Sequence, residues 1–202
     1  MTGLGRRLFS RGASVIEEEV AKFSAYGNDW WDTSSTSGAG PLHTMNPVRV
    51  AYIRSKLAEE CGRLGVFESK QIEGLSILDV GCGGGLLSES LARLGARVTS
   101  IDPSQENIKV ASSHSKMDSA TSSIDYRCST IEEVFAAGEQ FDAVCSLEVI
   151  EHVGDPEAFM RACTGCVRPG GSLFISTLNR TSKARLVAIV GAEYVLNLVP
   201  KG

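Results

Sequence analysis

The sequence predicts an α/β protein built on a doubly wound, mostly parallel, Rossmann-like sheet. Three observations predict this fold class. Short apolar runs alternate with helical patterns from Ser76 to Thr177, an order that is typical of βαβ units. A glycine-rich loop, Gly81–Gly85, follows the first apolar run, and an acid, Asp102, ends the second. Open α/β sheets bind ligands at the carboxyl ends of their strands, so both features fall where a ligand site is expected.

Length and composition indicate a single globular domain. The chain has 202 residues, of which 43% are hydrophobic and 22% charged, values that are ordinary for one folded domain. A net charge of −4 gives no electrostatic footprint for nucleic acid, and no apolar run reaches the roughly 18 residues of a spanning helix. The cysteines are too scattered for a disulfide framework, and Cys163 and Cys166 are expected to be buried thiols on a helix.

The first residues are basic. Arg6, Arg7 and Arg11 lie in a segment with no acid before Glu17, a composition that fits the remnant of a mitochondrial transit segment over residues 1–14. A disordered basic start is the alternative.

The segment before the first strand is expected to be helical. Apolar residues fall on one stripe of a helix over Val15–Tyr26. Trp30 and Trp31 come next, either as a lid on a ligand pocket or as core aromatics, and a Gly/Ser/Thr-rich loop follows at Thr33–Gly40. A second helix is expected over Pro47–Gly62, with Val50, Ile53 and Leu57 on one face.

The remaining pattern alternates strands and helices. Strands are expected at Ser76–Val80, Arg97–Ile101, Ile124–Arg127, Phe141–Ser146 and Gly171–Thr177. Helices are expected at Leu86–Leu94, Gln105–Ser113, Ile131–Ala137 and Pro156–Val167. Ser104 is a candidate N-cap of the second of these helices. The first strand is expected at the centre of the sheet, with the fourth and fifth strands to one side.

The glycine loop has the pattern G-x-G-x-G. Gly81, Gly83 and Gly85 supply it, whereas a dinucleotide-binding fingerprint needs a further glycine where Leu86 stands. Asp79, two residues before the loop, repels a pyrophosphate but attracts the ammonium and sulfonium charges of S-adenosylmethionine. The start of the following helix can bind the carboxylate of the same ligand through free N–H groups.

Asp102 completes this candidate donor site. It lies 21 positions after Gly81, at the end of the second strand, where a carboxylate can accept both ribose hydroxyls. A tight βα turn without ligand is the alternative for the loop alone. A nicotinamide-dependent oxidoreductase is the alternative function, and both Leu86 and Asp79 argue against it.

Further motifs carry a resemblance to a known family. Before the loop they are Ala21–Phe23, Asp29–Asp32, Pro41–His43 and Asn46–Arg49. After it they are Leu147–Val153, Ser176–Arg180, Val190–Tyr194 and Val199–Gly202. Through these motifs residues 15–202 resemble a methyltransferase domain of the ubiquinone-biosynthesis O-methyltransferases, which are class I S-adenosylmethionine-dependent enzymes.

The resemblance implies an activity and a set of donor contacts. The activity is methyl transfer from S-adenosylmethionine to a phenolic hydroxyl of a polyprenylated dihydroxybenzoate or demethylubiquinol. The donor contacts are Arg49, Gly81, Asp102 and Leu147, with Arg49 suited to clamp the donor's carboxylate. In a eukaryote the resemblance implies a peripheral place on the matrix side of the mitochondrial inner membrane, beside other ubiquinone-biosynthesis proteins.

The family fold continues past a sequence like Pro200–Gly202, with two more strands and a helix. The chain is therefore expected to lack C-terminal strands of the sheet and to leave the fifth strand at an open edge. A non-catalytic binding or scaffold form is the alternative function that this implies.

An acid–histidine group follows the fourth strand. Glu148, Glu151 and His152 share one side if they lie on a helical turn, and two carboxylates with an imidazole can hold a divalent cation. A bound metal could lower the pKa of a catechol hydroxyl. His152 could instead act alone as the general base, and a solvated helix start is the structural alternative. The spacing leaves these open, and the resemblance favours Mg²⁺.

The tail carries basic residues beside an apolar stretch. Arg180, Lys183 and Arg185 precede Leu186–Val199, which is short for a spanning helix and typical of an interfacial or buried one. Basic flanks suit an anionic membrane surface, so residues 180–199 are expected to contact the membrane. A core helix packed on the sheet is the alternative.

Overall fold

A computed structural model describes residues 14–34 and 39–177 of the chain. The strands are β1 Ser76–Val80, β2 Arg97–Asp102, β3 Asp125–Cys128, β4 Phe141–Leu147 and β5 Val167–Ser176. The helices are α1 Glu17–Ser24, α2 Gly40–Glu60, α3 Leu86–Arg93, α4 Gln105–Ser115, α5 Ile131–Ala136 and α6 Pro156–Gly165. Short 3₁₀ turns lie at Gly27–Trp31, Glu68–Lys70 and Ile150–His152.

The described strands form one parallel sheet in the order β3-β2-β1-β4-β5. This order places β1 at the centre and confirms the predicted fold class. Because α/β crossovers put helices on both faces, the central strands are buried on both sides. Four of the five residues of β1 are buried, as are the first six of β4.

Each face of the sheet has its own hydrophobic core. On one face Ile53 and Leu57 of α2 pack with Leu91 of α3. On the other face Phe159 of α6 packs with Val144 of β4. Full burial of such side chains contributes about 1.5–3 kcal/mol each. This burial holds α2 and α3 on one face of the sheet and α6 on the other.

Two predicted boundaries were wrong by about four residues or more. The second helix begins at Gly40, not at Pro47, and Pro47 lies inside it. Pro41 occupies the first turn instead, where a proline without an N–H is well tolerated. The fifth strand begins at Val167, before the predicted Gly171, because β5 pairs with β4 through an irregularity that shifts the register near its start.

Side chains cap three helices in the way local sequence suggests. Ser104 accepts a hydrogen bond from the Asn107 N–H at the start of α4, as predicted. Thr130 forms a capping box with Glu133 at α5, and Asp155 caps α6. Each such cap stabilises its helix by about 1 kcal/mol.

The cysteines of α6 and its end are core residues. Cys163 and Cys166 are fully buried, and burial raises the pKa of the Cys163 thiol to about 12 and that of Cys166 to about 11. This agrees with the expectation of inert thiols on a helix.

The start of the described chain packs against the loop after β4. Val15 forms an antiparallel bridge with Val153, and the Gly154 N–H donates to the Ser14 carbonyl at 2.8 Å. Ser14 is itself 2% exposed, so it belongs with the domain. Residues 1–13 of the predicted transit segment and all of the predicted tail helix 180–199 lie outside the described residues.

Among the helices of residues 14–34 and 39–177, none is long and apolar enough to cross a membrane.

Candidate active site

A cavity of about 380 Å³ opens at the carboxyl ends of the central strands. Its lining includes the glycine loop with Asp79 and Asp102, and the N-terminal segment that includes α1. This is the place where open α/β sheets bind ligands. The cavity therefore brings together the loop, the two acids and the acid–histidine group that the sequence singled out.

The glycine loop is tied to the second strand. The N–H groups of Gly81 and Cys82 both donate to the Ile101 carbonyl, at 2.8 and 3.0 Å. Gly81 has a φ of +73°, a conformation that glycine adopts without strain. A Cβ at this position would lie 2.5 Å from Val149 Cγ2, so the turn also needs glycine for space.

Two tryptophans pack on this loop, and sequence reasoning left their role open. A Cβ on Gly83 would lie 2.5 Å from Trp30 Cη2, and one on Gly84 would lie 2.4 Å from Trp30 Cβ. The Trp31 indole donates to the Gly84 carbonyl at 2.9 Å, and its ring stacks on that of His114. Gly83 and Gly84 therefore leave room for the Trp30 side chain as well as for a ligand.

Asp79 is a buried acid at the end of β1. It is 3% exposed, and Ser88 Oγ donates to its Oδ2 at 2.6 Å. Burial raises the pKa of the Asp79 carboxyl to about 6, and the neighbouring charge of Asp102 adds to the rise, against the hydrogen bond from Ser88. A carboxyl with this pKa is readily ionised when a cationic ligand enters.

The pKa of Asp79 predicts a pH dependence of stability. A rise from 3.8 to about 6 means that the folded chain binds this proton more tightly than the unfolded chain. The contribution of this proton to the free energy of unfolding is fully present below about pH 4. It is lost as the pH rises through about 6, a change of roughly 3 kcal/mol. Asp79→Asn keeps an acceptor for Ser88 but cannot ionise. Urea unfolding should show a parent protein that loses about this much more stability than the variant between pH 4 and pH 7. Parallel profiles of the two proteins would contradict the raised pKa.

Asp102 is held between the loop and α4. Its Oδ2 accepts from the Gly83 N–H at 3.0 Å, and its Oδ1 accepts from the Ser104 N–H at 2.9 Å and from Asn107 Nδ2 at 3.2 Å. The side chain is 7% exposed. Burial raises the pKa of the Asp102 carboxyl, and these donors counteract the rise.

Arg49 lies at the cavity but is paired with an acid. Its Nη2 is 2.8 Å from Glu148 Oε1, and the same oxygen accepts from Ser176 Oγ at 2.7 Å. Leu147, the last residue of β4, also lines the cavity. The predicted donor contacts Arg49, Gly81, Asp102 and Leu147 therefore share one cavity, although Arg49 already has a carboxylate partner.

The predicted helical turn through Glu148 was wrong. Glu148 has a φ of +58°, so it breaks the helical register before the 3₁₀ turn Ile150–His152. Its carboxylate pairs with Arg49, whereas Thr177 Oγ1 donates to Glu151 Oε2 at 3.0 Å. The two acids therefore point to different partners instead of sharing a helix face.

His152 contacts neither Arg49 nor Thr177 but a different residue, Glu19. Its Nδ1 lies 2.7 Å from Glu19 Oε2 of α1, and its ring meets the ring of Phe23 edge-on at 4.8 Å between centroids. Within residues 14–34 and 39–177, no group of three His, Cys, Asp or Glu side chains is arranged to hold a metal ion. The chemistry of the three predicted ligands suits a hard cation, but their arrangement here does not fit one.

Glu132 is a cavity acid that sequence reasoning missed. It is 5% exposed, and its Oε1 accepts from Ser14 Oγ. Its Oε2 is buried and has no hydrogen-bond partner among the described residues. A buried oxygen of this kind can accept an N–H of a ligand. Glu132 could not be singled out from the sequence because it stands beside Glu133 at the start of a helix, where acids are common.

Comparison with known proteins agrees with this geometry. The family described as "Methyltransferase domain" matches residues 78–175. The "Ubiquinone biosynthesis O-methyltransferase" of Parvibaculum lavamentivorans is 50% identical over 190 residues, covering 94% of this chain and 73% of that protein. The "Ubiquinone biosynthesis O-methyltransferase, mitochondrial" of Arabidopsis thaliana is 47% identical over 196 residues, covering 97% of this chain and 60% of that protein.

Solved structures agree on the fold. The magnesium protoporphyrin IX methyltransferase of Synechocystis PCC 6803 with bound SAH superposes with a TM-score of 0.65 at 19% identity, covering 89% of this chain and 79% of that one. The DhpI-SAM-HEP complex gives 0.60 at 23% identity, covering 88% and 71%. The extent and level of identity to the sequence relatives decide the family. The chain belongs to the ubiquinone biosynthesis O-methyltransferases, which are S-adenosylmethionine-dependent methyltransferases.

Proposed function

We propose that this chain transfers a methyl group from S-adenosylmethionine to a phenolic hydroxyl of a polyprenylated dihydroxybenzoate or demethylubiquinol. The observation that carries the proposal is the cavity in which the glycine loop, Asp79 and Asp102 meet at the carboxyl ends of β1 and β2. The names of the sequence relatives support the substrate class. A nicotinamide-dependent oxidoreductase is not favoured by this family membership.

The donor is proposed to lie along the loop. Asp102 accepts the ribose hydroxyls, and Asp79 faces the cationic end of the donor. Arg49 leaves Glu148, its present partner at 2.8 Å, and binds the donor's carboxylate instead. Leu147 provides apolar contact to the bound donor, and Glu132 Oε2 is suited to accept an N–H from it.

His152 is the proposed general base. A phenolic hydroxyl has a pKa near 10, so its proton must leave as the oxygen attacks the methyl carbon and the sulfonium becomes a neutral thioether. Glu19 Oε2 lies 2.7 Å from Nδ1 of His152, so the opposite ring nitrogen, Nε2, is the one proposed to take the substrate's proton. Imidazole bases of this kind contribute about 10²–10⁴-fold to rate.

The test of the proposal separates binding from turnover. Calorimetry should show that the chain binds S-adenosylmethionine and S-adenosylhomocysteine but not NAD⁺. Mass spectrometry should detect a methylated product from a catechol with a short prenyl tail. Donor binding without product would favour the non-catalytic scaffold alternative, and absence of donor binding would reject both.

A Mg²⁺ site at Glu148, Glu151 and His152 is proposed as the alternative to His152 acting as a metal-free base. It requires each side chain to leave its present partner: Arg49, Thr177 and Glu19 respectively. All three candidate ligands line the same cavity, and two carboxylates with an imidazole are suitable ligands for a divalent cation. The metal would polarise a catechol substrate.

Chelation tests the metal proposal. If these residues bind Mg²⁺ during turnover, EDTA treatment should abolish methyl transfer and added Mg²⁺ should restore it, because the lowered hydroxyl pKa is lost with the ion. Donor affinity measured in the same samples is the control, since it depends on Asp102 and the loop. Full activity after chelation would leave His152 as a metal-free base.

Membrane placement is also proposed. The Arabidopsis relative is named as mitochondrial, which supports a mitochondrial location if this chain is eukaryotic. A peripheral site on the matrix face of the inner membrane suits a polyprenylated substrate, and other ubiquinone-biosynthesis proteins are candidate partners there. The basic and apolar residues of segment 180–199 are the proposed contact.

Charge reversal in that segment tests the membrane contact. Vesicles with anionic lipid should bind the parent chain, and Lys183→Glu with Arg185→Glu should weaken binding by about 2 kcal/mol or more, since each basic residue contributes about 1 kcal/mol. Lys56→Glu with Lys109→Glu makes the same change in net charge on exposed helix faces and is the matched control. Equal co-sedimentation of all three proteins would favour a core helix.

A further inference from the structure

Three buried side chains link the N-terminal segment to the donor acid. Trp30 Nε1 donates to Asn107 Oδ1 at 3.1 Å, and Asn107 Nδ2 donates to Asp102 Oδ1 at 3.2 Å. Trp30, Asn107 and Asp102 are 7%, 2% and 7% exposed. Because water is excluded from all three, each hydrogen bond is costly to leave unmade.

The chemistry of these groups gives this series of hydrogen bonds a direction. An indole N–H can only donate, so it holds the amide oxygen of Asn107 towards Trp30. The amide NH₂ is then turned towards Asp102, which as a carboxylate can only accept. Without the indole, Asp102 still selects the NH₂ end of Asn107, but the amide oxygen is left buried without a donor and the amide is no longer held from both ends.

This direction determines which oxygen of Asp102 meets a ligand. Oδ1 accepts from both Asn107 and the Ser104 N–H, whereas Oδ2 accepts only the Gly83 N–H among the described residues. A carboxylate oxygen has about two acceptor sites. Oδ1 is therefore filled, and Oδ2 keeps capacity for a hydroxyl in the cavity.

We propose that Trp30 is a positioning residue for the methyl donor, acting through Asn107 on Asp102. The inference rests on the proposed donor site. The same indole ring packs on Gly83 and Gly84, so Trp30 also contacts the loop beside the proposed donor.

A double-mutant cycle on the full chain tests this role. Trp30→Phe keeps an aromatic ring but removes the N–H, and it should weaken S-adenosylhomocysteine binding by about 5–50-fold in calorimetry. In an Asn107→Ala background the same change should cost less than about twofold, because the link is already broken. In turnover, KM for the donor should rise while kcat at saturating donor stays within about twofold.

Each outcome separates the inference from the donor site itself. Equal losses from Trp30→Phe in both backgrounds would mean that Trp30 acts by packing alone, and the inference would fail while the donor site stands. Unchanged affinity in Asp102→Asn would reject the donor role of Asp102 and with it this inference, whereas the proposed function is rejected only if the chain binds no donor. The chain has two tryptophans. If Trp30→Phe does not fold, β-(3-benzothienyl)alanine incorporated in a Trp31→Phe background removes the N–H at position 30 with the ring shape retained, and the Trp31→Phe protein is its reference.

Discussion

Asp102→Ala is expected to weaken S-adenosylmethionine binding by about 1–3 kcal/mol, which is roughly 5- to 150-fold. The carboxylate is 7% exposed and lines the cavity. The variant removes the proposed acceptor of the ribose hydroxyls. It also leaves the Gly83 and Ser104 N–H groups and the Asn107 amide without their acceptor, so the loop itself loses support. Calorimetry with the donor and with S-adenosylhomocysteine measures the effect.

Two further variants isolate the contribution of charge. Asp102→Asn keeps the size of the side chain and one acceptor oxygen, and it should lose affinity without a comparable loss of stability. Asp118→Asn removes an exposed carboxylate that pairs with Arg93 and should leave donor affinity unchanged. An unaltered affinity in a folded Asp102→Ala protein would exclude Asp102 from the site.

Gly83→Ala is expected to be strongly destabilising. Gly83 has a φ of +53°, which costs a residue with a Cβ about 1–2 kcal/mol. The added methyl also falls 2.5 Å from the rigid ring of Trp30, and overpacking of this kind costs about 1–3 kcal/mol more. Urea unfolding should therefore show a loss of about 2–5 kcal/mol.

Gly138→Ala is the matched control for this change. Gly138 has a φ of +74°, but a Cβ there meets nothing within 4 Å, so only the backbone strain of about 1–2 kcal/mol is expected. The difference between the two variants measures the contact with Trp30. Equal losses would show that the indole moves aside at no cost.

The fold and the donor loop were predictable because their signals are local. A buried parallel strand is mostly apolar, and β1 and β4 are mostly apolar, each with one aspartate inside it. The loop after β1 needs closely spaced glycines, and Ser104 needs only the next helix turn to act as a cap. Each of these features is complete within a few neighbouring residues.

The side-chain partners of the site were not predictable because they are distant in sequence. Trp30 and Asn107 are 77 positions apart, and Arg49 and Glu148 are 99 apart. The left-handed conformation of Glu148 is equally hidden, since glutamate does not favour it. Its backbone N–H donates to the Ser176 carbonyl of β5, a contact that depends on the assembled sheet. Tertiary contacts therefore override the helical spacing on which the metal hypothesis relied.

If the N-terminal segment is a transit segment that a processing peptidase removes, the packing of Ser14 limits where that peptidase can cut. A processing peptidase that cuts immediately before this residue leaves its carbonyl to accept from Gly154 and its hydroxyl to donate to Glu132. A cut one residue later deletes both groups. It leaves the buried Glu132 carboxylate without that donor, and it places a new charged amine on Val15, whose backbone pairs with Val153. A cut before Ser14 is therefore compatible with the fold, and a cut after it removes contacts on which the fold depends.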